Sequence, residues 1–434
     1  MKRVAFFTLG CKVNQYETEA MTELFQNQGY TVVEFDNPAE VYVINTCTVT
    51  GMSDRKSRQV IRKAKKINPD SFVIVVGCYA QTSPEEVSRI HGVNMVLGTK
   101  DKGRIIEFLE EINSGEEKVN YVEDIMNLRE FEKLDVTSFK DRTRAFLKIQ
   151  DGCNNYCSYC IIPYARGPIR SKYREDVLEE VRNLASSGFK EIVLTGIHLA
   201  SYGKDLKTSS LVEIIKDIHY IEGVERIRLG SIEPSTVNRE FIETVRAFEK
   251  LCPHFHISLQ SGCDGTLKRM NRKYNTDDYR RVVESLRENI PDVSVSTDVM
   301  VGFPGETDDE FKCTLEFLEE IKLTKLHVFK YSPRKGTPAA AYKDQVSAEK
   351  KEERSSKLLE LSDKNLIEFN SQQVGRIMPV LFEQRFGEED GLMEGLTSNF
   401  TRVVCKAHEN VKGLIYDVQL REAKDDYILG MLKK

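Results

Sequence analysis

Along the first hundred residues, short apolar runs alternate with longer stretches in which apolar residues recur every three to four positions. The runs at 4–9, 41–45 and 72–77 read as strands, and 14–28, 54–67, 85–90 and 102–111 as helices. Strand and helix alternating at this pitch predict an α/β fold with a parallel, doubly wound sheet. A second series starts at Arg144, with strands at 145–149, 191–195, 226–229, 256–259, 294–299 and 325–330. Helical patterns at 174–187, 211–218, 238–250, 278–289 and 307–320 separate them. Six such units predict a partial (βα)6 parallel barrel. Residues 112–143, which carry Ser114-Gly115-Glu116-Glu117, read as a connector with one short strand at 120–122. A charged helix is expected at 348–371. The tail then switches to period two at 377–382, 402–407 and 414–420, with glycine turns between, as in a small antiparallel barrel of the oligonucleotide-binding kind. The expected division is 1–111, 112–143, 144–371 and 372–434.

Composition narrows the class. The 434 residues are 40% hydrophobic and 30% charged, the balance of a globular protein. A net charge of −5 excludes a basic coat, so any nucleic-acid contact must use local patches. No run approaches the roughly 20 apolar residues of a membrane span, so no membrane association is expected. The apolar run after Met1-Lys2-Arg3 breaks at Thr8 and Gly10, too early for a signal peptide. Ten cysteines in a chain of this size do not form a secreted disulfide scaffold, and a reducing cytoplasm is expected.

The cysteines carry the candidate chemistry. Cys153, Cys157 and Cys160 follow the first barrel strand at C-x3-C-x2-C spacing, where barrel chemistry resides. Three thiolates on one loop can hold three corners of a cubane iron–sulfur cluster and leave the fourth iron open to a small molecule. Structural zinc would need a fourth ligand, and no second knuckle or nearby histidine supplies it. Cys11, Cys47 and Cys78 each end one of the first three strands, and ligands of an open parallel sheet sit beyond those ends. They are therefore expected to converge as a second three-thiolate cluster site; the bland alternative is buried structural cysteine. Polar, glycine-rich loops follow other barrel strands at Thr195-Gly196, Gly230-Ser231, Gln260-Ser261 and Gly302-Phe303-Pro304-Gly305. His198 is assigned no role. Residues 55–66 hold seven basic side chains and no acidic ones, either a solvated face or a phosphate-binding one. Arg376, Arg385, Arg402, Lys406 and Lys412 could likewise line an RNA path in the tail.

The cysteine loop, Cys153 to Cys160, resembles the signature of the radical S-adenosylmethionine (SAM) enzymes. A three-cysteine N-terminal domain, such a barrel and a small β module, in that order, resemble the methylthiotransferase family with its C-terminal RNA-binding TRAM domain. Thr8-Leu9-Gly10-Cys11-Lys12-Val13-Asn14, Gln150-Asp151-Gly152-Cys153 and Tyr164-Ala165-Arg166-Gly167-Pro168 are similar to the branch that acts on N6-threonylcarbamoyladenosine (t6A) at position 37 of tRNA. The resemblance implies an enzyme that methylthiolates the adenine ring with two [4Fe-4S] clusters and two SAM. It implies that Cys153, Cys157 and Cys160 hold the SAM-cleaving cluster, and that Cys11, Cys47 and Cys78 hold an auxiliary one carrying the sulfur. Tyr159, Thr195, Gly196, Ser231, Gln260 and Asp298 are the implied SAM contacts. Thr195-Gly196 departs from the Gly-Gly-Glu that many radical-SAM enzymes have there. The implied partners are a tRNA anticodon loop, an electron donor such as flavodoxin or ferredoxin, and a sulfur source. Alternatives are a methylthiotransferase acting on isopentenyladenosine or on a ribosomal-protein aspartate, a non-catalytic iron–sulfur RNA sensor, and an RNA-binding zinc module.

Overall fold

The structure, a computed structural model, describes residues 2–113, 119–137, 142–387 and 391–433. The stretch at 114–117 lies outside them. Strands β1 (Arg3–Thr8), β2 (Thr31–Val33), β3 (Val41–Thr46), β4 (Phe72–Gly77) and β5 (Met95–Val96) form one parallel sheet in the order β2-β1-β3-β4-β5. Helices α1 (Lys12–Asn27), α2 (Gly51–Ile67), α3 (Cys78–Thr82), α4 (Pro84–Ser88) and α5 (Ile105–Asn113) connect it. Val41, Val43, Ile74 and Val76 pack with Met21, Phe25 and Phe108 on one face. Tyr42, Ile44, Val73 and Val75 pack with Ile61, Ala64 and Val87 on the other. Burial on both faces explains why the strands read as unbroken apolar runs. Asn120 makes one bridge to Val96 and no strand forms. The Asn120 side chain accepts the Val122 N–H at 3.0 Å, which turns the chain away from further pairing.

The central module runs β6 (Arg144–Asp151), α6 (Ile162–Arg166), β7 (Arg170–Ser171), α7 (Arg174–Ser186), β8 (Glu191–Gly196), α8 (Leu211–His219), β9 (Arg226–Leu229), α9 (Arg239–Ala247) and β10 (His254–His256). It continues through α10 (Asp264–Arg269), α11 (Thr276–Asn289), β11 (Ser294–Val301), α12 (Asp308–Ile321) and β12 (Lys325–Lys330). The parallel ladders β6-β8-β9 and β10-β11-β12 are joined by the isolated bridges Ile227–Leu251 and Ile232–Ile257. This is the expected order of six parallel strands. The strand expected at 256–259 instead starts at His254 and stops at His256. There the Thr297 hydroxyl inserts, accepting the Leu259 N–H at 2.9 Å and donating to the Ile257 carbonyl, so side chain replaces backbone in the ladder. Antiparallel β7 pairs with β6 on its free edge.

Helix α13 (Ala348–Gln373) covers the other free edge. Its Ser362 hydroxyl accepts the Leu326 N–H of β12 at 3.1 Å, and Asn365 donates to the Leu323 carbonyl at 3.0 Å. Strands β13 (Ile377–Arg385), β14 (Leu392–Thr397), β15 (Arg402–Lys406), β16 (Ile415–Ala423) and β17 (Ile428–Leu432) then close a barrel in the order β13-β14-β15-β17-β16. It is not wholly antiparallel, because β15 and β17 pair in parallel. The period-two pattern missed β14 and β17, each of which contains a glycine. A Cβ on Gly395 would stand 2.3 Å from the Leu381 carbonyl oxygen, and one on Gly430 2.4 Å from Val418. The tight barrel needs glycine where the pattern needs a side chain. The small barrel docks on arginines of β9: Arg226 donates to Leu396 O at 2.9 Å and Pro379 O at 2.7 Å, and Arg228 to Ser398 O at 3.0 Å.

Candidate active site

The carboxyl ends of β1, β3 and β4 bring Cys11, Cys47 and Cys78 to one edge. Gly10 makes the approach possible: its φ is +108°, and a Cβ there would lie 2.9 Å from Cys47 Cβ and 3.2 Å from its sulfur. Asn14 Nδ2 ties the two turns together by donating to Leu9 O at 2.7 Å and Thr46 O at 3.0 Å. Cys11 is exposed, whereas Cys47 and Cys78 are buried. Burial pushes the Cys78 thiol up to about 11, against the pull of the Arg166 guanidinium, with Cys47 and Cys11 adding to the rise. Burial, and then the nearby Cys11, also raise Cys47.

Cys153, Cys157 and Cys160 occupy the loop after β6. Gly152, at φ +72°, lets this loop lie against Pro168, whose oxygen would be 1.9 Å from a Cβ. The loop is pinned by Cys153 N–H to Gly167 O at 3.0 Å, Ser158 N–H to Met270 O at 3.0 Å and Cys160 N–H to Cys157 O at 2.9 Å. Burial raises Cys153 to about 11 and Cys160 to about 12, with Cys157 adding to both. Such thiols bind metal as thiolates, releasing their protons as they do so. Among the described residues no three donors are arranged around a single ion. Each edge offers three free thiols, the donor set of a cubane cluster that leaves one iron open.

Each group of cysteines is backed by a buried arginine. Arg272 Nη1 donates to Cys157 Sγ at 3.2 Å and Nη2 to Glu233 at 2.9 Å. Glu233 also accepts from Asn155 at 3.0 Å, and His198 stands 3.5 Å from it. His198, given no role from sequence, is thus part of the cysteine loop's support. Arg166, wholly buried on α6, donates from Nε to Cys78 Sγ at 3.3 Å. Its other nitrogens reach Glu17 and Asn14 of α1, and Asp151 at 3.3 Å. Lys148 pairs with Glu17 at 2.8 Å and Asp151 at 2.7 Å, and Lys102 reaches Glu17 at 3.4 Å. Burial alone would raise the Glu17 carboxyl, yet Arg166, Lys102 and Lys148 hold it down to about 2. One buried ionic network therefore joins the two cysteine edges. Sequence reading missed it; the only local signal was acidic Glu17 on the buried face of an amphipathic helix.

Two cavities open here. One of about 210 Å³ is lined by Cys160, Tyr159, Gln260, Asp298 and Met300. The other, about 760 Å³, is bounded by Lys12, Ser231, His256, Asp298 and, from the small barrel, Phe400. Asp298 belongs to both. Tyr159, Gln260, Asp298 and Ser231 are thus brought to the cavities, but Thr195 and Gly196 line neither. Gly196 is pressed on Gln150, which lies 2.9 Å from where its Cβ would be. Gln150 in turn donates to Asp151 O and Gly152 O at 2.7 Å, so this pair braces the cysteine loop from behind.

The basic stretch forms α2, which starts beside the smaller cavity: Gly51 N–H donates to Ser332 at 3.1 Å, and Ser332 lines that cavity. Arg55, Lys56, Arg62 and Lys66 are exposed. In the tail Arg376, Arg385 and Arg402 are engaged by Asp292, Glu409 and Glu394. Lys406 and Lys412 are exposed.

Residues 147–318 match the radical SAM superfamily and residues 3–98 the uncharacterized protein family UPF0004. The chain is 46% identical to the threonylcarbamoyladenosine tRNA methylthiotransferase MtaB of Bacillus subtilis, over 99% of this chain and 96% of that one. To the protein of that name from Thermotoga maritima it is 40% identical, over 99% and 97%. To the tRNA-2-methylthio-N(6)-dimethylallyladenosine synthase of Acetivibrio thermocellus it is 35% identical, over 96% and 88%. In fold it is similar to the radical SAM methyltransferase TsrM of Kitasatospora setae, solved with cobalamin and a [4Fe-4S] cluster (TM-score 0.57, 16% identity, 91% of this chain and 81% of that one). With two three-cysteine edges, a six-strand partial barrel and relatives alike over nearly their full length, the chain belongs to the radical-SAM methylthiotransferase family.

Proposed function

We propose that this protein is a tRNA-modifying enzyme that methylthiolates the adenine ring of t6A at position 37, next to the anticodon. The observation that carries this is the pair of three-cysteine edges joined by one buried ionic network. When bound, SAM and the [4Fe-4S] clusters supply the methyl group, the sulfur and the homolytic chemistry that an unactivated ring carbon requires. No side-chain base would suffice, since acid–base catalysis contributes only about 100- to 10,000-fold.

The chain positions these groups. Cys153, Cys157 and Cys160 hold one cluster, and Cys11, Cys47 and Cys78 the other. Tyr159, Gln260 and Asp298 line the small cavity beside Cys160, and these are the residues that would hold SAM there. Ser231 faces the larger cavity, and Thr195-Gly196 support the cysteine loop through Gln150. Arg272 and Arg166 oppose the negative charge of the thiolate-ligated irons, and their burial keeps that attraction from being screened by water.

The anticodon loop is the RNA partner, since its bases can be splayed at a cost of roughly a few kcal/mol. The exposed cations of α2, with Lys406 and Lys412, offset that cost through phosphates. Residues 1–111 form the auxiliary-cluster domain, 112–143 the connector, 144–371 the radical-SAM domain and 372–434 the TRAM domain. A flavodoxin or ferredoxin supplies electrons, and a separate donor replenishes sulfur. Among the described residues no helix is long and apolar enough to cross a membrane, and we place the enzyme in the cytoplasm with its tRNA. Mass spectrometry of tRNA nucleosides from cells with and without the gene tests this. Loss of 2-methylthio-t6A with accumulation of t6A is expected; unchanged 2-methylthio-t6A would overturn it.

A further inference from the structure

The larger cavity has an electrostatic peculiarity. Most ionic side chains in its wall have a side-chain partner within the protein. Asp298 faces His256 at 3.2 Å, Lys325 pairs with Asp363 at 3.0 Å, and Arg402 is held by Glu394 and Asp426. Lys12 differs. It is the residue after Cys11, its side chain is exposed within this hollow, and no carboxylate among the described residues pairs with it. Its ammonium lies 5.9 Å from the centre of the Phe146 ring. Arg144, Arg226 and Arg228 stand behind it, sharing Glu383 and Glu191. Among Lys12 and these groups behind it, four cations stand against two carboxylates. An unmatched positive site enclosed by protein favours an anionic ligand group.

A second observation comes from another lining residue of the same cavity. Asn370 of α13 is 1% exposed and lines the same cavity, yet both its amide nitrogen and its amide oxygen lack a hydrogen-bond partner among the described residues. Buried polar groups are ordinarily paired, and leaving one bare is destabilising. One donor and one acceptor on a planar amide are the complement of a urea's C=O and N–H. The cavity thus presents both a cation and an unused amide, in about 760 Å³, within the range of ligand sites.

We propose that this cavity receives the N6-threonylcarbamoyl arm of the substrate base, with Lys12 meeting its carboxylate and Asn370 its urea. This rests on the function proposed above. The arm is the part of t6A that bears an anion and a urea, and Lys12 adjoins Cys11, so recognition and sulfur delivery share one turn. An apolar N6 substituent would leave the ammonium and the amide unmatched, and the site would reject it for that reason.

The test uses anticodon stem-loop RNAs carrying t6A, its carboxylate methyl ester, or plain adenosine. Affinity is measured for the cluster-free full chain and turnover for the cluster-loaded enzyme. The natural chain is expected to bind the t6A RNA about 10- to 100-fold more tightly than the ester, the span of a charge-assisted hydrogen bond. Lys12→Met should erase that preference, and Lys12→Arg should keep it. Asn370→Leu should weaken t6A and ester alike relative to adenosine, since both retain the urea. A Lys12→Met chain that still prefers t6A over its ester as the natural chain does would overturn the inference. Because affinity is read without clusters, disturbance of the neighbouring Cys11 cannot mimic the result. If the natural enzyme modifies t6A but the preference survives in Lys12→Met, only this inference fails. If the natural enzyme does not modify t6A RNA at all, the proposed function fails with it.

Discussion

Arg166 does what no surface arginine could. Fully buried, it places Nε 3.3 Å from the Cys78 sulfur while its other nitrogens are held by Glu17, Asn14 and Asp151. A fixed cation at a thiolate ligand stabilises the reduced, more negative state of the cluster. Replacing Cys153, Cys157 and Cys160 by alanine should leave about half the iron, isolating the auxiliary cluster. In that background Arg166→Met should lower the cluster's midpoint potential by up to about 65–130 mV, the one-electron equivalent of losing one charge-assisted hydrogen bond. Arg166→Lys should shift it less. Redox titration followed by electron paramagnetic resonance reads the change, and an unmoved potential would show that Arg166 acts only as a packing element. Arg166 stands in a motif quoted from sequence, but nothing local shows that its partners lie 149 and 152 residues away.

Helix α2 shows how a charge run acquires direction. Its N-cap Thr50 accepts the Ser53 N–H at 3.2 Å, Asp54 occupies the first turn, and Lys65 and Lys66 the last, so the helix is capped and its dipole matched. The pattern of Ile61 and Ala64 buries one face. Arg58 is spent on Tyr79 and Glu86, and Lys63 on Asp36, whereas Arg55, Lys56, Arg62 and Lys66 point outward. Replacing these last four with serine should weaken stem-loop RNA binding while leaving cluster content intact. For every phosphate that no longer meets a cation, the slope of log affinity against log salt should also become shallower by about 0.7. Binding titrations across salt concentrations decide it. An unaltered slope would return α2 to the status of a solvated surface. In the tail, three of the five cations expected to face RNA are paired with carboxylates, which the sequence did not reveal.

The whole molecule is held across its modules by buried polarity. Glu17 of the N-terminal sheet domain meets Lys148 and Arg166 of the central barrel, and Tyr16 donates to Glu180 at 2.9 Å. The sign of the resulting pH dependence follows from Glu17. Its carboxyl is held at about 2 in the folded chain against 4.5 unperturbed, so the stability it contributes is present above 4.5 and is lost as pH falls toward 2. Asp151, lowered by Lys148, Arg166 and Arg170 despite burial, acts in the same direction. Glu17→Gln should cost about 3–5 kcal/mol near neutrality, because it strands buried cations. The stability of this variant should also fall less steeply between pH 4.5 and 2 than that of the natural chain. Urea unfolding of the cluster-free protein at several pH values measures both. Parallel pH profiles in the two proteins would mean that Glu17 is not the responsible group.

Hydrophobic periodicity and cysteine spacing were enough to place nine of the twelve strands of the two βα series, all but the two- and three-residue β2, β5 and β7, and to put six cysteines at or just beyond strand ends. Both are properties of neighbours in the chain, and a strand or a helical face is specified by residues within a few positions. The strands of the small barrel at Gly395 and Gly430 escaped because close backbone approach there replaced side-chain alternation. The ionic bridge between the cysteine edges, the bracing position of Thr195-Gly196, the pairing of the tail arginines and the unmatched Lys12 came from packing alone. In each case the deciding partner lies on a different element, and whether a charge is solvated, neutralised or left waiting for a ligand depends on what is folded against it.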